Sequence, residues 1–145
     1  MTNLRTILLV DDDPNDVELT LEALSEINLA NQVTVAQDGV EAMEYLRCEG
    51  KFKERKKENP AVIMLDIKMP KMDGLEVLHA IRNDEHFSKI PVVMMTSSHE
   101  ESDLKKCYEF GTNAFVVKPV DSKEFIHAVK QVALFWALIN ELPKE

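Results

Sequence analysis

Residues 6–16 read TILLVDDDPND, and this stretch sets the architecture. Five residues that are apolar or β-branched run straight into Asp11, Asp12 and Asp13, and then into Pro14. A short run without polar alternation is how a strand buried on both faces reads, and such strands belong to parallel sheets. Asp13 can cap a helix whose first position Pro14 takes. Val17, Leu21 and Leu24 then recur at helical spacing. A strand that turns at once into a helix is a βα unit. Between the two lie adjacent carboxylates, which repel one another. The turn is either a solvated acidic loop or a place where something positive belongs.

The same unit repeats along the chain. Strands are predicted over 32–36, 61–65, 90–96 and 114–117. Helices follow over 38–50, 73–84, 100–111 and 122–142, with Gly50 and Gly111 as stops. Five strands alternating with five helices predict an α/β fold with a parallel sheet covered on both faces. The stretch KFKERKKENP at 51–60 interrupts this rhythm. It reads as a solvated loop or as a docking surface for an acidic partner. No internal repeat and no second domain is apparent, so residues 1–145 read as a single domain. Its core is expected over about 4–133 with a C-terminal helix extension over about 134–145, and no output domain is expected.

Composition narrows the function. A chain of 145 residues suits one core, and 45% apolar with 30% charged residues is an ordinary globular balance. A net charge of -9 argues against non-specific nucleic-acid binding. No apolar run reaches the roughly 20 residues that span a bilayer, and no secretory signal is legible. A cytosolic protein is expected. Cys48 and Cys107 form no CxxC and read as structural thiols. His79, His86, His99 and His127 lie on different elements without metal-ligand spacing and read as surface or packing residues. Met64, Met94 and Met95 read as core filler.

The polar residues gather at strand ends. Asp11 follows the first strand, Asp66 the third and Lys118 the fifth, while Thr96 ends the fourth. In an open parallel sheet, ligands bind outside the carboxyl ends of the strands. Asp11, Asp12 and Asp66 would then share one edge, a costly arrangement without a cation. Carboxylate sites of this kind suit Mg²⁺ together with phosphate oxygens. A carboxylate beside a metal, a lysine and a hydroxyl is equipped to accept a phosphoryl group.

The motifs ILLVDDDP, VIMLDIKMPKMDGLEVL, IPVVMMTSS and AFVVKPV cover nearly the whole chain. With them the chain resembles the receiver domain of two-component response regulators. The resemblance implies a flavodoxin-like (βα)5 three-layer sandwich with strand order 2-1-3-4-5. It implies that Asp66 accepts a phosphoryl group from a sensor histidine kinase. It implies that Asp12 binds Mg²⁺ directly, that Asp11 acts mainly through water, and that the Lys68 backbone carbonyl completes the protein's share of the shell. Mn²⁺ can substitute. By the same resemblance Thr96 would be the switch hydroxyl, Phe115 the switch aromatic, and Lys118 the partner of the phosphoryl group. Phe115 lacks the tyrosine hydroxyl of many relatives, which leaves a packing readout at the helix 4, strand 5 and helix 5 surface. Pro70 and Gly74 shape the acceptor loop. In the family's pattern the small Ser97 would leave room for the phosphodonor, and Lys68 and Ser98 occupy the positions that tune loss of the group. Pro119 is expected to follow a cis bond. In this family the chain would be no enzyme beyond its own phosphoryl transfer and autodephosphorylation.

The insertion at 51–60 and the extended last helix resemble the small stand-alone regulators paired with bacterial phytochrome kinases. Phe135, Trp136 and Ile139 in that extension either pack against the sheet or form an exposed aromatic patch for a homodimer. Two other functions compete with the signalling switch. One is a Mg²⁺-dependent phosphohydrolase with an aspartate nucleophile, because DDDPN distantly resembles the haloacid-dehalogenase signature. That class would leave DIKMPKMDG unexplained and usually needs a cap. The other is a phosphate-independent interaction module, against which the intact set Asp11, Asp12, Asp66, Thr96 and Lys118 weighs.

Overall fold

Alternate residues of each strand feed two separate cores, which is why the strands show no polar face. In β1 (Ile7–Val10), Ile7 and Leu9 point to one side and Leu8 and Val10 to the other. The computed structural model describes residues 5–97 and 101–141. Along the chain β1 is followed by α1 (Pro14–Glu26), β2 (Val33–Ala36), α2 (Gly39–Arg47), β3 (Val62–Leu65) and α3 (Gly74–Arg82). Then come β4 (Val92–Thr96), α4 (Glu101–Glu109), β5 (Ala114–Val117) and α5 (Ser122–Ala133). All pairings are parallel and the order is β2-β1-β3-β4-β5, as the resemblance implied.

One core holds Leu8, Val10, Ile63, Leu65 and Met94 with side chains of α2, α3 and α4. The other holds Ile7, Leu9, Met64, Val93 and Met95 with side chains of α1 and α5. Met64, Met94 and Met95 are buried core filler, as expected. Cys107 is buried, and burial first, then the charge of Asp103, pushes its thiol up to about 11. It stays a neutral packing group. His79, His86 and His127 are exposed, while His99 and Ser98 lie outside the described residues.

Helix starts follow the carboxylates. Asp13 caps α1 by accepting from the amides of Asn15 (2.9 Å) and Asp16 (3.4 Å), with Pro14 opening the helix. Asp73 and Glu76 form a reciprocal capping box on α3. Ends differ more from expectation. α2 stops at Arg47, because Cys48 takes the left-handed conformation (φ 54°) expected of Gly50. Gly50 instead opens a short 3₁₀ turn, Gly50–Phe52.

The segment 51–60 is not simply a solvated loop. The Phe52 ring meets Tyr45 edge-on at 5.2 Å, and the Arg55 guanidinium stacks over the Tyr45 ring at 3.9 Å. Arg55 also donates to the Lys56 and Glu58 carbonyls at 2.6 and 2.7 Å, and Pro60 is buried. An apolar and a planar cationic side chain therefore anchor the segment while its lysines stay exposed.

The last helix is not one α-helix either. After Ala133 it widens into a π-helix, Leu134–Ile139. Its end is held from across the chain. Arg5 Nη1 donates to the carbonyls of Ala137 (3.3 Å) and Asn140 (2.6 Å), satisfying acceptors a helix end leaves open. Trp136 packs on the α1/α5 core, whereas Phe135, Leu138 and Ile139 are exposed. The two readings thus divide: Trp136 packs, and Phe135 and Ile139 are exposed. Among the described residues, no helix is long and apolar enough to cross a membrane.

Candidate functional site

Strand register brings the polar strand ends together. Val10 and Leu65 are paired, so Asp11 and Asp66, each the next residue, emerge side by side. The ladder bonds continue through both: Asp11 N–H donates to Ala36 O at 3.1 Å and Asp66 N–H to Val10 O at 3.0 Å. On the other side, Lys118 N–H donates to Thr96 O at 2.7 Å. Thr96 is buried. The predicted residues Asp11, Asp66, Thr96 and Lys118 thus lie along one end of the sheet.

The side chains converge on one ammonium. Lys118 Nζ lies 2.8 Å from Asp11 Oδ2, 2.8 Å from Asp16 Oδ2 and 3.3 Å from Asp66 Oδ2. The other oxygens of Asp11 and Asp66 are held by backbone. Asp13 N–H donates to Asp11 Oδ1 at 3.0 Å, and Ile67 N–H donates to Asp66 Oδ1 at 2.7 Å. Asp12 is exposed, and Asp11, Asp12 and Asp66 offer carboxylate oxygens within 4.8 Å of one another.

Charge is in excess here. Asp11, Asp16 and Asp66 surround the Lys118 ammonium, and Asp12 lies beside Asp11 and Asp66. Burial raises the Asp11 carboxyl above its ordinary value, against the lowering by hydrogen bonds from Lys118 and the Asp13 amide. Burial by itself lowers Lys118, but the hydrogen bonds to Asp11 and Asp16 and the charges of Asp11 and Asp66 win. Its ammonium is held well above the usual lysine value. Burial dominates at Asp11, with the charge of Asp66 adding a smaller push, while the carboxylates dominate at Lys118. An all-oxygen carboxylate set of this kind fits a hard divalent ion.

The acceptor loop is shaped by a missing side chain. Gly74 N–H donates to Ile67 O at 2.7 Å, and a Cβ at Gly74 would stand 2.8 Å from Ile67 Cα. Met72 O accepts from Gly39 N–H at 3.1 Å, which docks the loop on α2. Pro70 and Lys68 are exposed on this loop, and Ser97 is exposed at the end of β4. Phe115 is half-buried against the α2/α3/α4 core. The Lys118–Pro119 bond is trans, for the described residues contain no cis peptide. Trans is the intrinsically favoured isomer by about 0.5–1 kcal/mol, and Lys118 reaches its three carboxylates with it.

Asp16 is the residue that sequence reading passed over. Its signal was present: it closes the stretch DDDPND one turn into α1. An acid in a first turn reads as ordinary helix-dipole chemistry, which concealed its reach to Lys118.

Comparison with known proteins places this geometry. Response regulator Rcp1 of Synechocystis sp. is 33% identical over 139 residues, covering 96% of this chain and 93% of that protein. The solved Mn²⁺-bound form of Rcp1 matches with a TM-score of 0.88, covering 97% of this chain and 99% of that one. The phosphorylated cyanobacterial phytochrome response regulator RcpA is 34% identical with a TM-score of 0.90, over 98% and 100% of the two chains. The bacteriophytochrome response regulator AtBRR is 54% identical with a TM-score of 0.76, over 97% and 100%. The response regulator receiver domain family matches residues 7–130, and the chain belongs to that family.

Proposed function

We propose that this chain is a stand-alone receiver whose Asp66 accepts a phosphoryl group from a sensor histidine kinase, with Asp11, Asp12 and the Lys68 carbonyl joining Asp66 as ligands of Mg²⁺ or Mn²⁺. The observation that carries this reading is the meeting of Asp11, Asp66 and Lys118 at the carboxyl ends of three strands. The stand-alone reading is supported by coverage of nearly the full length of Rcp1, RcpA and AtBRR. The Mn²⁺-bound form of Rcp1 supports the choice of ion. A phytochrome-type kinase is the proposed donor, because RcpA and AtBRR carry that word in their descriptions. The cytosol is the proposed compartment, and direct nucleic-acid binding is not part of the reading.

In the transfer, a carboxylate oxygen of Asp66 attacks phosphorus. The P–N bond to the kinase imidazole breaks, and the imidazole nitrogen keeps the electron pair. Asp66 becomes a mixed anhydride. When bound, the divalent ion supplies positive charge against the phosphoryl oxygens. Lys118 supplies a fixed positive charge beside Asp66. The new group adds about -1.5 to -2 charges. Thr96 turns its hydroxyl toward them, and Phe115 moves into the space released, changing the α4–β5–α5 surface. Hydrolysis of the anhydride by water resets the switch. No other turnover is proposed.

The exposed Phe135, Leu138 and Ile139 favour self-association as one output. The test combines intact mass with size-exclusion chromatography after incubation with acetyl phosphate, with and without Mg²⁺. A single Mg²⁺-dependent adduct, absent from Asp66→Asn, is expected. Equal labelling of that variant overturns the acceptor assignment. An elution volume unchanged by the adduct removes self-association as the phosphorylation output.

A further inference from the structure

The ammonium of Lys118 has three N–H donors, and all three are engaged by carboxylates. A phosphoryl oxygen on Asp66 gains a Lys118 donor only if one of those acceptors gives way. The three acceptors are not equivalent. Asp11 and Asp66 belong to the carboxylate group that fits a cation, and a bound cation would draw their charge away from Lys118. Asp16 is outside that group and holds Lys118 at 2.8 Å, closer than the 3.3 Å of Asp66. It reaches in from the first turn of α1, an element that none of the assigned site residues occupies. Its side chain is 26% exposed, so solvent screens the pair only in part.

We propose that Asp16 is a positioning residue that competes with the phosphoryl group on Asp66 for the Lys118 ammonium, and so weakens the protein's hold on that group. This rests on Asp66 being the acceptor. Asp16 acts in two ways. Its carboxylate withholds a donor from the phosphoryl oxygens, and its charge adds to the negative excess that a phosphoryl group must enter. Asparagine at this position keeps an acceptor oxygen, but a neutral one with about half the bond strength. Alanine removes the acceptor entirely.

The test measures affinity for beryllofluoride, a tetrahedral anion that mimics a phosphoryl group on a carboxylate, by fluorine NMR in the presence of Mg²⁺. Wild type, Asp16→Asn and Asp16→Ala are compared, with thermal melting of each. Asp16→Asn is expected to bind about three- to tenfold more tightly, and Asp16→Ala at least as tightly as Asp16→Asn. Melting temperatures are expected to fall slightly or stay level, because a purely structural role for Asp16 would weaken stability and binding together. Binding that is unchanged or weaker in both variants overturns the proposal. Acetyl phosphate labelling of the wild type separates the two readings. If it labels Asp66 while the Asp16 variants bind no better, only the Asp16 proposal falls. If wild type neither labels at Asp66 nor binds beryllofluoride, the acceptor reading falls and this one with it.

Discussion

A methyl group at Gly74 would stand 2.1 Å from the carbonyl oxygen of Asp66. The loop after β3 thus folds directly over the backbone of the proposed acceptor, and only hydrogen fits between them. Gly74→Ala must push β3 and α3 apart at the point where Asp66 is aimed. The expected loss is about 1–3 kcal/mol in urea denaturation, with a larger proportional loss of acetyl phosphate labelling. Normal labelling in a destabilised variant would separate loop geometry from chemistry.

The negative excess around Lys118 makes stability depend on cations. Saturating Mg²⁺ should stabilise the wild type, by about 2.7 kcal/mol at a hundredfold excess over Kd. Asp12→Asn should lose most of that gain while changing the metal-free protein little, since Asp12 is exposed. Melting curves with and without Mg²⁺ read both.

Asp11 carries a pH signature in the metal-free protein. Burial raises its carboxyl above the ordinary 3.8. A carboxyl raised by folding adds stability below its unfolded value and loses it as pH rises through the raised value. Asp11→Asn should therefore stabilise the metal-free protein at about pH 7, where the buried charge is costly, and gain little at about pH 3. With Mg²⁺ present at neutral pH the sign should reverse, because a ligand is lost. Urea midpoints at the two pH values check the first part, and a Mg²⁺ titration checks the second.

The C-terminal residues should divide by contact. Trp136→Ala removes a ring packed on the α1/α5 core and should cost about 2–4 kcal/mol. Ile139→Ser, at a residue 67% exposed, should change monomer stability by no more than about 0.5 kcal/mol. If Ile139→Ser also abolishes a phosphorylation-dependent shift in elution, the exposed face is the contact.

Arg55 anchors the insertion on Tyr45 and not on the carboxylates around Lys118. Arg55→Ala removes its stacking on Tyr45 and its carbonyl hydrogen bonds. A loss of about 1–2 kcal/mol is expected, with Asp66 labelling unchanged. Proteolysis within 51–60 should accelerate, and mass spectrometry of the fragments would show it.

The strands were legible because burial on both faces leaves no other pattern than a continuous apolar run. β5 matches its predicted bounds, and the other strands begin one or two residues late, at Val33 and Val92 for example. Asp13 as cap was legible because Pro14 marks the next position. Helix ends were less so. The left-handed turn at Cys48 occurs at a residue type that rarely adopts it, and a π turn after Ala133 leaves no periodic mark in six residues. The meeting of Asp11, Asp66 and Lys118 followed from strand ends alone. Asp16 did not, because helix rotation, not sequence spacing, aims it at Lys118. Trp136 shows the same limit: spacing left packing and exposure both open, and its place on the α1/α5 core is visible only in the fold.

The grip of Arg5 on Ala137 and Asn140 stitches the leading edge of the first strand to the far end of the last helix. Two elements that lie more than a hundred residues apart in sequence therefore share one clasp. A force or substitution that loosens the end of the last helix is carried straight to the backbone that leads into β1, and from there to Asp11 four residues after the start of that strand.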